Sequence, residues 1–100
     1  MTEQKQALFL GKLENYWLIE GRDNETGRLL LKSLRNPLAP LTELEFKWHL
    51  ADAILNHRFT PKEYERLTGA DTDTPEDVVA DLSELWQLLF KDEPIAMPVL

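Results

Sequence analysis

Glu45, His49, Asp52 and Asn56 follow one another at spacings of four, three and four residues. At about 100° per residue a helix would stack them along one face, within about 60° of one another. A carboxylate, an imidazole and a second carboxylate in that array could bind a divalent cation or tune His49 as a general base. Three ligands on one straight helix converge poorly on a single ion. His57 lies two turns beyond His49, too far to share it. The preferred reading is therefore the solvated edge of an otherwise apolar helix, with Glu45 and His49 as an ordinary i,i+4 pair. A metal-dependent or acid/base enzyme using Glu45, His49 and Asp52 is the alternative.

Other chemistries find less support. The run Asp71-Thr-Asp-Thr-Pro-Glu-Asp resembles a calcium loop only at its start. The sixth position holds Glu76 where Gly is needed, and the twelfth holds Leu82 where a bidentate Glu is needed. Ser33 and Ser83 lie outside any nucleophile-elbow context, and the four glycines build no phosphate-cradling loop. Tyr16 and Tyr64 read as amphipathic packing residues. The chain has no Cys, which excludes disulfides, thiolate metal sites and a thiol nucleophile. No catalytic, cofactor-binding or metal-binding residue is assigned.

The net charge of −7 is unevenly placed. Acids and bases balance up to residue 70. Beyond it come Asp71, Asp73, Glu76, Asp77, Asp81, Glu84, Asp92 and Glu93 against Lys91 alone. Nucleic acid is captured by clustered Lys and Arg, so phosphate-backbone binding is disfavoured. A solvated, solubilising helix face is the plain reading of these acids, and a basic protein surface is the natural partner if they have one. Arg22, Arg28, Lys32 and Arg35 could form one weakly basic face, but Glu20, Asp23 and Glu25 interleave with them and favour internal pairing. The polar start carries no leader-like apolar stretch, and no apolar run approaches membrane-spanning length. A cytoplasmic location is expected.

The elements that must position these groups fall in two regimes within a single domain spanning 1–100. Residues 8–33 read as β-rich. Apolar runs Tyr16–Ile19 and Leu29–Leu31 flank Asp-Asn-Glu-Thr-Gly, with Gly27 in a left-handed turn position. Residues 7–14 fit a third strand or a short helix equally well. Pro37 and Pro40 then break the chain. Residues 42–91 read as helical. Thr42 with Glu45, Thr60 with Glu63, and Thr74 with Asp77 are three capping-box starts, two of them followed by Pro at the first helical position. They predict helices over 43–57, 61–68 and 75–91, with Gly69 as a left-handed stop. On the first of these, Leu44, Trp48, Ala51 and Leu55 form one apolar stripe and Leu50 and Ile54 a second. The fold class expected is α+β: an N-terminal β-hairpin or three-stranded antiparallel meander, then three helices.

Residues 93–100 form an extended apolar tail, since Pro94 and Pro98 forbid helix while Ile95, Met97, Val99 and Leu100 are apolar. Fold-back over the chain's own core is preferred to docking on a neighbour. The functional expectation is a small regulatory or interaction protein without catalytic activity. It would bind another protein, or a second copy as a homodimer, through Asp73, Glu76, Asp77, Asp81, Glu84, Ile95, Met97, Val99 and Leu100. An inhibitor from a phage or mobile element, with an acidic face imitating nucleic acid, is a second alternative. Neither a membrane nor nucleic acid is expected as a partner.

Overall fold

Thr2 accepts a hydrogen bond from the Lys5 N–H and so opens a first helix, α1, over Glu3–Tyr16. Phe9 and Leu13, one turn apart, are its buried contacts, and Trp17 just past its end is buried too. A single 3-10 turn, Ile19–Gly21, leads to α2 over Thr26–Leu34. Then come α3 (Glu43–Leu55), α4 (Pro61–Thr68) and α5 (Pro75–Phe90). The computed structural model of the chain describes residues 2–100.

The α+β expectation is overturned: no strand occurs among the described residues. The error lies in the stretch read as a hairpin. Asp23, not Gly27, makes the turn. Its carboxylate accepts from the Glu25 N–H, its own N–H donates to Thr26 Oγ1, and its carbonyl accepts from the Thr26 N–H. The triple leucine that followed is helical, with Leu30 and Leu34 buried on the face that also carries Gly27. Gly27 serves close approach between helices. A Cβ there would sit 2.8 Å from Leu88 Cγ, so α2 lies against α5 through a position with no side chain. Residues 7–14, left open as strand or helix, are helical because Phe9 and Leu13 share one face.

The helical half follows its caps. All three capping boxes form, and Gly69 ends α4 at φ 76°. Two ends fall earlier than expected. α3 stops at Leu55 because His57 turns left-handed at φ 49°, letting the Arg58 N–H close back on the Ala53 carbonyl at 3.2 Å. α5 stops at Phe90, where Lys91 takes φ 55°. The buried face of α3 is also rotated from the expected one. Phe46, His49, Leu50, Ala51, Ala53 and Ile54 are buried, while Leu44 and Leu55 are exposed and Trp48 only half-buried.

Buried residues from all five helices join one apolar cluster. Leu30→Ala removes a fully buried side chain from that cluster and should cost about 2–5 kcal/mol. Leu38→Ala, at a position 89% exposed, should change stability by less than about 0.5 kcal/mol. Urea unfolding of both variants checks the contrast.

Candidate functional site

Each acid singled out on α5 has a different fate. Asp77 is occupied by its cap, its Oδ2 accepting from the Asp73 and Thr74 N–H groups at 3.0 and 3.2 Å. Asp81 faces inward. Arg22 reaches it with two parallel bonds of 2.8 Å, and Tyr64 O–H donates to its Oδ2. The Trp17 indole N–H donates to the Tyr64 oxygen at 3.0 Å, while Arg22 also donates to the Trp17 carbonyl and stacks 3.7 Å above the Trp17 ring. Burial pushes the Asp81 carboxyl up, but the bonds from Arg22 and Tyr64 outweigh it and hold it below its ordinary range. Burial, reinforced by Asp81, pushes the Tyr64 phenol well up, so it stays protonated. This cluster is structural chemistry: every strong donor in it is matched.

Asp71, Asp73, Glu76 and Glu84 remain exposed. Three elements place part of this set around a concavity. The 3-10 turn supplies Ile19, the α4–α5 loop supplies Ala70, Asp71 and Thr72, and α5 supplies Asp77, Ala80, Asp81 and Glu84. The hollow measures about 420 Å³. Ile19, 46% exposed, rests against the end of α4, its Cγ2 only 3.2 Å from where a Cβ on Gly69 would be. The apolar side chains of Ile19, Ala70 and Ala80 thus lie among four carboxylates, of which Asp81 is neutralised by an internal cation.

The tail divides. Trp86 Nε1–H donates to the Glu93 carbonyl at 2.7 Å, the Glu93 carboxylate pairs with Lys47, and Ile95 packs against the core. Met97, Val99 and Leu100 are exposed, Val99 by 92%. Fold-back therefore covers the start of the tail and not its end. The tail leaves from the C-terminal end of α5, while Asp73, Glu76 and Asp77 lie at the N-terminal end, about 24 Å away along a 16-residue helix. The acidic start of α5 and the exposed end of the tail are thus separate surfaces.

The strip on α3 is not a solvated edge. Glu45 accepts from Lys5 and from its own cap, and Asp52 accepts from Arg58 and Asn56. His49 is buried at 6% exposure, stacked on Phe9 and edge-on to Trp48, with Nε2 unpartnered among protein groups. It borders a small cleft of about 110 Å³ with Gln6, Asp52, Arg58 and Glu63. No group of three His, Cys, Asp or Glu side chains is placed to hold a metal ion among the described residues. With both carboxylates already engaged, neither is poised to activate the imidazole.

Sequence reasoning missed the Arg22–Asp81–Tyr64–Trp17 cluster and the apolar lining of the acidic hollow. Ile19 had been given to a strand, and no local signal in the chain announces contacts 59 residues apart.

Burial lowers the His49 pKa from 6.5, against the attraction of Asp52 and Glu45. The unfolded chain therefore takes up this proton first. The contribution is neutral above pH 6.5 and turns against folding as pH falls from there toward the lowered value. His49→Phe should abolish this first acid-sensitive step and leave only the loss from cap carboxylates such as Glu45 and Glu63 at lower pH. Urea midpoints of both proteins between pH 7 and 4 test it. Comparison with family models, with curated proteins and with solved structures returns no match to this chain, so any functional reading rests on the residues just described.

Proposed function

We propose that the chain is a non-catalytic protein-interaction module of the cytoplasm. It engages a basic, partly apolar partner surface in the hollow between the 3-10 turn and α5. The observation carrying this reading is the composition of that hollow: Ile19, Ala70 and Ala80 line it together with Asp71, Asp77 and Glu84, with no cation among its lining residues. Such a surface binds by burying an apolar side chain while matching cations around it, and the carboxylates also speed encounter by steering. A regulatory role suits a small chain that spends its side chains on recognition. The exposed end of the tail, Met97, Val99 and Leu100, is a second contact available to the same partner.

No helix of the described residues is long and apolar enough to cross a membrane. The acidic character of the hollow disfavours nucleic acid and favours protein.

A short capped peptide, Arg-Leu-Lys-Arg, tests the reading by amide chemical-shift titration. Its addition should shift the amides of Ile19, Asp71, Thr72, Ala80 and Glu84. The double variant Asp71→Lys/Glu84→Lys, altering two exposed residues outside the caps, should weaken binding at least about tenfold, consistent with the loss of two contact charges. Equal affinity in the variant, or shifts centred elsewhere, would sink the proposal. A chain ending at Ala96, which keeps the Glu93 and Ile95 contacts, should retain peptide binding and lose only contacts made by Met97, Val99 and Leu100.

A further inference from the structure

The loop after α2 presents one leucine almost wholly to solvent: Leu38, at 89% exposure. This is no loose end. Asn36 Oδ1 accepts from the Leu38 N–H, and the Asn36 carbonyl accepts from the Ala39 N–H, both at 2.9 Å. Pro37 and Pro40 flank it, the Lys5 ammonium donates to the Pro40 carbonyl, and the buried Leu34 and Leu41 anchor the loop on either side. The loop backbone that carries Leu38 is thus held in place, so binding would have less main-chain freedom to remove.

Beside this knob runs a shallow groove lined by Arg28, Leu31, Lys32, Arg35, Asn36 and Pro37. Arg28 and Lys32 on α2 and Arg35 at its C-cap stand at i, i+4 and i+7, so they share one helix face. Among the described residues Lys32 has no carboxylate partner. Arg28 and Arg35 pair with Glu25 and Glu43 only at the exposed surface, where such pairs exchange readily. The local charge is positive on a chain whose net charge is −7.

This knob is the chemical complement of the acidic hollow. One surface offers a protruding leucine beside three cations. The other offers a depression where Ile19, Ala70 and Ala80 lie among Asp71, Asp77 and Glu84. The two surfaces share no residue and belong to different elements, so one chain can use both at once. We infer that the partner of the acidic hollow includes a second copy of this chain, seated through Leu38 with Arg28, Lys32 and Arg35 around it. The inference rests on the proposed role of the hollow and names its occupant.

The contact is heterologous: each copy offers its knob to one neighbour and its hollow to another, so association is head-to-tail and runs past a dimer, into a ring or an open chain. One knob in one hollow is a small interface, which places the affinity in the micromolar to millimolar range. Repulsion between copies of net charge −7 is screened beyond about 10 Å at 0.1 M salt, whereas the contact charges are closer than that. Association should therefore be visible at that ionic strength and fall away in molar salt.

Sedimentation equilibrium of the full chain at about 0.1 M salt, up to millimolar protein, is the first measurement. The weight-average mass should climb with concentration past the dimer. The knob variant Lys32→Glu/Leu38→Asp and the hollow variant Asp71→Lys/Glu84→Lys change only exposed side chains, and each should sediment as a monomer. An equimolar mixture of the two retains one working knob and one working hollow per pair. It should give a dimer that grows no further. Monomeric wild-type chain throughout, association that survives either double variant, or a mixture that sediments as two monomers would each overturn self-recognition. The peptide titration separates the two claims. If the wild type stays monomeric but still takes the peptide, only the occupant is wrong; if it does neither, the hollow is not a binding surface.

Discussion

The Arg22–Asp81 ion pair is the constraint around which the rest of the chain is arranged. Both side chains are largely removed from water, at 15% and 16% exposure. Removing charge from water is tolerated only where its partners are in place, and here they come from four segments. The end of α1 supplies the Trp17 carbonyl and indole, the α1–α2 connection supplies Arg22, α4 supplies Tyr64, and α5 supplies Asp81. Loss of one member would leave the others buried without partners, so the cluster specifies how these segments meet as well as contributing to their stability.

One consequence is the acidic hollow itself. With Arg22 drawn to α5, the 3-10 turn immediately before it lies along the same helix, and Ile19 comes to rest beside Ala70 and Ala80. Without the pair, Ile19 would have no reason to line a depression among carboxylates. The same pairing neutralises Asp81 and leaves Asp71 and Glu84 to set the outward charge. Recognition and internal stability thus divide the acids of one helix between them.

A second consequence concerns polarity inside the helical layer. His49 sits on the buried face of α3, between Phe9 and Trp48, where an apolar residue would be expected. Its neighbours on the strip are engaged elsewhere: Glu45 holds α1 through Lys5, and Asp52 holds the chain after α3 through Arg58. Polar residues that look like one solvated edge on a helical wheel therefore do three different jobs once other elements pack around the helix. The opposite change befell Leu44 and Leu55, apolar by type yet exposed. On a helix that is apolar over most of its circumference, pattern alone cannot choose which side faces in.

Local chemistry in the chain determined the three later helices. Thr42, Thr60 and Thr74 each satisfy a first-turn N–H with a partner three residues on, Pro61 and Pro75 suit the first helical position, and Gly69 accepts a left-handed backbone. These are interactions within four residues, so they can be read without a fold. The first third could not be read this way. Leu29-Leu30-Leu31 is as compatible with a strand as with a helix, and the helix buries Leu30 and Leu34 on the face where Leu88, 61 positions from Gly27, closes on that glycine. The tail shows the same division: its prolines announce an extended chain, while the Trp86 bond to Glu93 and the packing of Ile95 decide how far it folds back. Segregation of charge was likewise plain in the residue order. Which acids remain free to meet a partner was decided only when Arg22 crossed the fold to Asp81, because a salt bridge between residues 59 apart leaves no trace in local pattern.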